Sequence, residues 1–113
     1  MELARSGAEA VGFVSFHGGL HTPTPDDAKK IQGKILVLHG ADDPLVPSDE
    51  VLAFEEEMRS ARADWQLFAY GNAVHGFTVP GAGNDPSTGV AYNEKTDRRS
   101  WEAMKVFFNE IFA

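Results

Sequence analysis

Cysteine is absent from the 113-residue chain. That excludes disulfides, cysteine-ligated zinc and a thiol nucleophile within these residues, and it fits a reducing compartment such as the cytoplasm. Basic runs are missing as well. Ten Lys and Arg stand against 17 Asp and Glu, for a formal net charge of −7, so no nucleic-acid or anionic-membrane partner is expected. No apolar run approaches membrane-spanning length, and the N-terminus has no signal-peptide core. Repeats and low-complexity tracts are also lacking. His17, His21 and His39 follow no metal-ligand spacing, so neither a metal nor a cofactor is expected. With 42% hydrophobic and 24% charged residues, the composition excludes disorder. The length allows a single domain, residues 1–113.

The chain is organised around Lys34 to Pro47, KILVLHGADDPLVP. Four consecutive aliphatics, Ile35 to Leu38, read as a strand buried on both faces, the habit of parallel sheets in α/β folds. The strand ends in His39-Gly40 and delivers Asp42 and Asp43 just past its carboxyl end, where open α/β sheets place their chemistry. Pro44 and Pro47 stiffen the loop, and Ser48 reads as the cap of the following helix.

The flanking segments complete the pattern. Met1 to Ser6 reads as a short helix stopped by Gly7, and Ala10 to Phe16 as a strand ending in His17-Gly18-Gly19. A connection rich in Gly, Pro and Thr follows, with one helical turn over Asp26 to Ile31. Ser48 to Arg62 is helical, with Val51, Phe54, Met58 and Ala61 on one stripe and acids in its first turn. Its run Glu55-Glu56-Glu57 reads as a solvated face. Trp65 to Tyr70 is a third strand, and Asn72 to Gly89 a long loop with His75 near its start. A last helix over Asn93 to Phe112 has Trp101, Met104, Phe108 and Ile111 on its expected buried stripe, with Phe107 beside it. Both tryptophans read as core. The order strand, crossover, strand, helix, strand, helix predicts three parallel strands with helices on both faces.

Asp43 and His75 are the candidates for chemistry. Each follows a strand of the same parallel sheet, so both project from one edge. A carboxylate there can fix an imidazole tautomer and make the histidine a general base; the bland alternative is that the acids only shape a turn. Acid then histidine, each after its own strand, is also the chain order of the last two members of an α/β-hydrolase triad.

Three stretches, LHGADDPLVP, VHGF at Val74 to Phe77, and AYNEKTDRRSWEAMKVFF, resemble the C-terminal half of the dienelactone hydrolase family of α/β-hydrolases. The resemblance covers nearly the whole chain and implies a partial α/β-hydrolase fold. Through the G-x-x-D-x-x-V-P pattern it places the triad acid on Asp43 rather than Asp42, and through H-x-F the triad histidine on His75. It implies a hydrolase of small esters or lactones without a cofactor. It also implies that the nucleophile, in a G-x-C-x-G or G-x-S-x-G elbow, falls upstream of Met1. None of Ser6, Ser15, Ser48, Ser60, Ser87 and Ser100 stands in such an elbow. Where dienelactone enzymes carry an arginine soon after the histidine, this chain reads Thr78-Val79, which argues against dienelactone itself as the substrate.

Two functions compete on this reading. In one, the chain is the acid-and-histidine portion of a small-ester or lactone hydrolase. In the other it is a truncated, inactive domain that self-associates or binds, with a vestigial Asp-His pair. Both carry the expectation of a homodimer or higher oligomer, because the strand from Ala10 to Phe16 is expected to lack a neighbour on one side.

Overall fold

Three strands pair in parallel in a computed structural model covering residues 1–113. They are β1 (Glu9–Phe16), β2 (Gln32–Gly40) and β3 (Trp65–Tyr70), with β2 in the centre. The helices are α1 (Glu2–Arg5), α2 (Ser48–Ala61) and α3 (Glu94–Ile111). Short 3₁₀ turns lie at Pro25–Lys30, Pro80–Ala82 and Pro86–Thr88. This is the α/β arrangement that the sequence predicts.

The alternation of side chains along β2 divides the core in two. Ile35 and Val37 face one way and pack with Ala4, Leu20, Ala28, Val46, Phe54 and Met58. Leu36 and Leu38 face the other way and pack with Ala73, Phe77 and Phe107. All four β2 aliphatics are at most 1% exposed. Register follows from the pairing of Phe13 with Ile35 and of Ile35 with Trp65. It brings the carboxyl ends of the three strands to one edge.

Four details depart from the sequence reading. Ser48 is not the helix cap: Pro47 occupies that position, and the Pro47 carbonyl accepts from Glu50 N–H at 3.0 Å. Proline with extended backbone starts the helix without a side-chain acceptor, so Ser48 is its first residue and is exposed. Second, the acidic run is not wholly solvated. Glu57 lies one position before Met58 on the covered side of α2 and is buried. Its carboxylate accepts from Arg5 Nε and Nη2 at 2.7 Å each. Arg5 also donates to the Leu20 carbonyl and to Glu2, each at 2.7 Å.

Third, α3 is rotated from its expected stripe. Thr96, Ser100 and Phe107 are buried, with Ala103 and Ile111 packed beside them, whereas Phe108 is exposed. Close approach to β1 explains this: a Cβ built on Gly12 would stand 2.8 Å from Ile111 Cδ1 and 3.1 Å from Phe107. The missing side chain at Gly12 leaves the space that Phe107 and Ile111 fill, and their seating there turns Trp101 and Phe108 away from the sheet. Fourth, Trp101 lies off the covered face and is 53% exposed, while Trp65 packs edge-on against Phe54.

The Arg5–Glu57 pair ties α1 to α2 away from water. Removing one partner strands the other in a low-dielectric site. We expect Glu57→Gln to cost about 3 kcal/mol, the low end for a broken buried pair, since Glu2 still reaches Arg5. The double variant Arg5→Met, Glu57→Leu should recover most of that loss. Urea denaturation midpoints of the three proteins check both statements.

Candidate active site

Asp43 and His75 meet at the carboxyl edge of the sheet. His75 Nδ1–H donates to Asp43 Oδ2 at 2.8 Å. The Asp43 side chain is fully buried, and that of His75 is 31% exposed. The second carboxylate oxygen is held by the loop itself: Leu45 N–H donates to Asp43 Oδ1 at 2.9 Å. An ionised carboxylate only accepts, so this geometry puts the proton of neutral His75 on Nδ1 and leaves Nε2 free to accept one. Asp42, by contrast, is exposed, and its N–H donates to the Ala73 carbonyl.

The two loops that carry the pair are locked together. Ala41 N–H donates to Tyr70 O at 2.8 Å and Asp42 N–H to Ala73 O at 2.9 Å. Gly40 lets the loops come so close, because a Cβ there would lie 2.7 Å from the Ala73 carbonyl oxygen. His75 is clamped in turn by the 89–91 segment: its N–H donates to Gly89 O, and its carbonyl accepts from Ala91 N–H, both at 3.1 Å. Gly89 has φ +86°, and a side chain on it would strike Pro44 Cγ at 2.7 Å. The acid loop, the histidine loop and the 89–91 segment therefore fit only with glycine at both contacts.

His17 also belongs to this edge, although the sequence reading weighs it only as a metal ligand. His17, at the end of β1, lies edge-on to His75 with ring centroids 5.8 Å apart, and to Phe77 at 5.0 Å. Its Nε2 is 2.8 Å from Thr78 Oγ1. The rule that marked Asp43 and His75, a polar residue just past a parallel strand, also fits His17. His21 lines a separate hollow beside Asp49 and Glu50. No group of three or more His, Asp or Glu side chains converges as a metal site. Of the serines, Ser100 Oγ donates to Asp97 O, Ser60 Oγ to Glu56 and Ser87 Oγ to Asp85, each within its own helix or turn. The largest hollows, about 330 and 370 Å³, lie between the Pro25–Lys30 turn and α2. Neither borders the Asp43–His75 pair, and chemistry rather than volume locates the site.

A three-stranded parallel sheet with helices on both faces, and the Asp43 and His75 loops at its carboxyl edge, is part of the α/β-hydrolase fold. The chain belongs to the dienelactone hydrolase family, whose pattern matches residues 1–112. The solved structure of m3DLH is 48% identical and superposes with a TM-score of 0.91 over 99% of this chain and 47% of its own. A dienelactone hydrolase-like promiscuous phosphotriesterase from metagenomic libraries is 46% identical, with a TM-score of 0.87 over 97% of this chain and 46% of its own. Uncharacterized protein K02A2.1 of Caenorhabditis elegans is 36% identical over 104 residues, 88% of this chain and 64% of that protein. The chain thus spans about half the length of these solved structures and under two thirds of the curated relative. No helix is long and apolar enough to cross a membrane.

Two histidines of this edge resist protonation. Burial pushes the His39 pKa below its ordinary value, against the opposing pull of Asp43 and Glu50. Burial and then the neighbouring His75 ring push His17 the same way, against its own backbone hydrogen bond and Asp43. Below an ordinary value of about 6.5 the unfolded chain binds protons at these positions more readily than the folded one. Their contribution to stability is therefore complete above that pH and is lost as pH falls through the lower folded values. We expect the urea midpoint to drop between pH 7.5 and 5.5, and His39→Gln to show a shallower drop. Paired denaturation series at the two pH values measure the difference.

Proposed function

We propose that this chain supplies the acid and the general base of a hydrolase that acts on small esters or lactones. The observation that carries the reading is the 2.8 Å hydrogen bond from His75 Nδ1 to buried Asp43, with part of the imidazole open to solvent. In the proposed reaction Asp43 holds the Nδ1–H tautomer and stabilises the imidazolium that forms. His75 Nε2 takes a proton from the nucleophile as that attacks the ester carbonyl. It then returns the proton to the departing alkoxide. The nucleophile is not among these residues, since the chain has no cysteine and no serine in a glycine-flanked elbow. The proposed reaction therefore needs a nucleophile from outside these residues. A cleft of about 260 Å³ next to the His17–Thr78 contact is lined by apolar Phe16 and Trp101 and by polar Thr78 and Asp97. It suits an uncharged leaving or acyl group better than a carboxylate, because Asp97 already presents a negative charge. The likeness to a promiscuous phosphotriesterase makes an uncharged phosphotriester a second substrate class to assay.

A second reading rests on the outer edge of β1. Only β2 pairs with this eight-residue strand, and Val11 on it is exposed. A hollow of about 320 Å³ between α1 and β1 is lined by Met1, Leu3, Ala4, Phe13 and Val14. Trp101, Val106 and Phe108 on α3, and Phe112 just after it, add apolar surface. An open edge beside such surface pairs readily with another chain, so we propose a homodimer or higher oligomer closed through β1.

Two measurements test these readings. Alone, the chain should show no His75-dependent hydrolysis of an activated aryl ester. Folded together with the portion of m3DLH that it does not match, it should gain such hydrolysis. His75→Ala should then lower kcat about 10⁶-fold and Asp43→Ala about 10⁴-fold. Restored turnover that survives His75→Ala would sink the catalytic reading. For the second reading, sedimentation equilibrium should show a dimer or larger species at micromolar concentration, shifted towards monomer by Val11→Lys; a monodisperse wild-type monomer refutes it.

A further inference from the structure

We propose that His17 is a positioning residue for His75: its imidazole, anchored on Thr78, holds the segment that carries His75 so that the His75 ring stays on Asp43. The proposal rests on the reading of Asp43 and His75 as a working pair and adds a third member that the pair needs in order to keep its geometry.

Three observations lead to it. The first is backbone. His17 has φ +41°, in the left-handed region that residues with a side chain rarely adopt. Its N–H still extends the β1–β2 ladder, donating to Leu38 O at 2.9 Å. Gly18, the easier residue for such a bend, follows directly, yet the chain turns at the histidine. An uncommon conformation at a residue whose side chain engages the site is the pattern expected where placement of that side chain matters.

The second is contact. The His17 ring reaches one short segment at three points: the Thr78 hydroxyl at 2.8 Å, the Phe77 ring at 5.0 Å and 77°, and the His75 ring at 5.8 Å and 70°. The bonds to Gly89 and Ala91 fix where the His75 backbone stands. They leave its χ angles free. Asp43 holds the ring by one nitrogen, and the His17 edge contact restricts its swing.

The third is charge. Burial, then the neighbouring His75, disfavours a proton on His17. A neutral ring can hold Thr78 through either an acceptor or a donor nitrogen without setting a second cation against the imidazolium that His75 becomes.

The test reads the His75 Nδ1 proton by NMR in the intact chain, with ¹⁵N-labelled histidine, and so does not depend on turnover. Asp43→Asn provides the reference for a lost partner. Thr78→Val, nearly isosteric and lacking only the hydroxyl, should speed exchange of that proton with water about tenfold, the loss of roughly one net hydrogen bond. His17→Ala should do so at least as strongly. His17→Gln, whose amide can still bond Thr78, should restore slow exchange. If Thr78→Val keeps the wild-type shift and exchange rate while its backbone amide spectrum stays folded, His17 does not position His75. A purely structural role would lower the melting temperature of these variants and leave the Nδ1 proton unchanged, which also overturns the proposal. Should His17→Ala fail to fold, Thr78→Val alone decides.

Discussion

The constraint from which the rest follows is that β2 has no face left for water. Its four aliphatics are covered by α2 and the 3₁₀ turn on one side and by α3 with the Phe77 loop on the other. At roughly 1.5–3 kcal/mol for each fully buried large aliphatic, this strand is the largest concentrated source of hydrophobic stabilisation in the chain. A strand buried on both faces must pair on both edges, and parallel pairing sends every connection across the sheet. The loops after each strand therefore collect at one edge. The position of Asp43, His75 and His17 is a consequence of that burial.

Placement in the right region is still not geometry fit for proton transfer. The acid and the imidazole arrive on separate loops, and an error of an ångström between them would break their hydrogen bond. The fold limits that error with backbone contacts. Tyr70 and Ala73 carbonyls take the amides of the acid loop, Leu45 N–H takes the spare carboxylate oxygen, and the 89–91 segment grips His75 from both sides. Glycines 40 and 89 let these pieces touch. The site is thus held largely by main-chain groups and contacts that tolerate no Cβ, which constrains the sequence here more tightly than the core does.

What could be read in advance and what could not divides along physical lines. The run Ile35 to Leu38, the turn chemistry after it, and the spacing of Asp43 and His75 are local signals. They located all three strands, both longer helices and the two residues that meet. Of the two adjacent acids, Asp43 is the one buried against His75, and Asp42 is exposed. The burial of Glu57 was not legible, because its partner Arg5 is remote in sequence and a periodic pattern scores a lone acid as exposed. The buried face of α3 was misread for a different reason. Two offset stripes compete on that helix, and the bulkier one looks apolar enough to be core. The choice is made by the space at Gly12 that Phe107 and Ile111 fill, a tertiary quantity. His17 escaped because His-Gly at a strand end is also ordinary turn chemistry, and only its ring contacts distinguish the two.

Covering β2 from both sides has a consequence for synthesis. The residues that close one face, Ala4, Leu20 and Ala28, precede or immediately adjoin the strand in the chain, and Phe54 and Met58 follow soon after. Those that close the other face, Phe77 and Phe107, come much later in the chain. A nascent chain therefore carries Leu36 and Leu38 incompletely covered until Phe77 and then Phe107 have been made. Over that interval it has a half-finished sheet whose apolar side is available to any chaperone, or to any neighbouring ribosome's product. The order in which the two covers are translated, more than the final stability, sets how long the chain is exposed to misassembly.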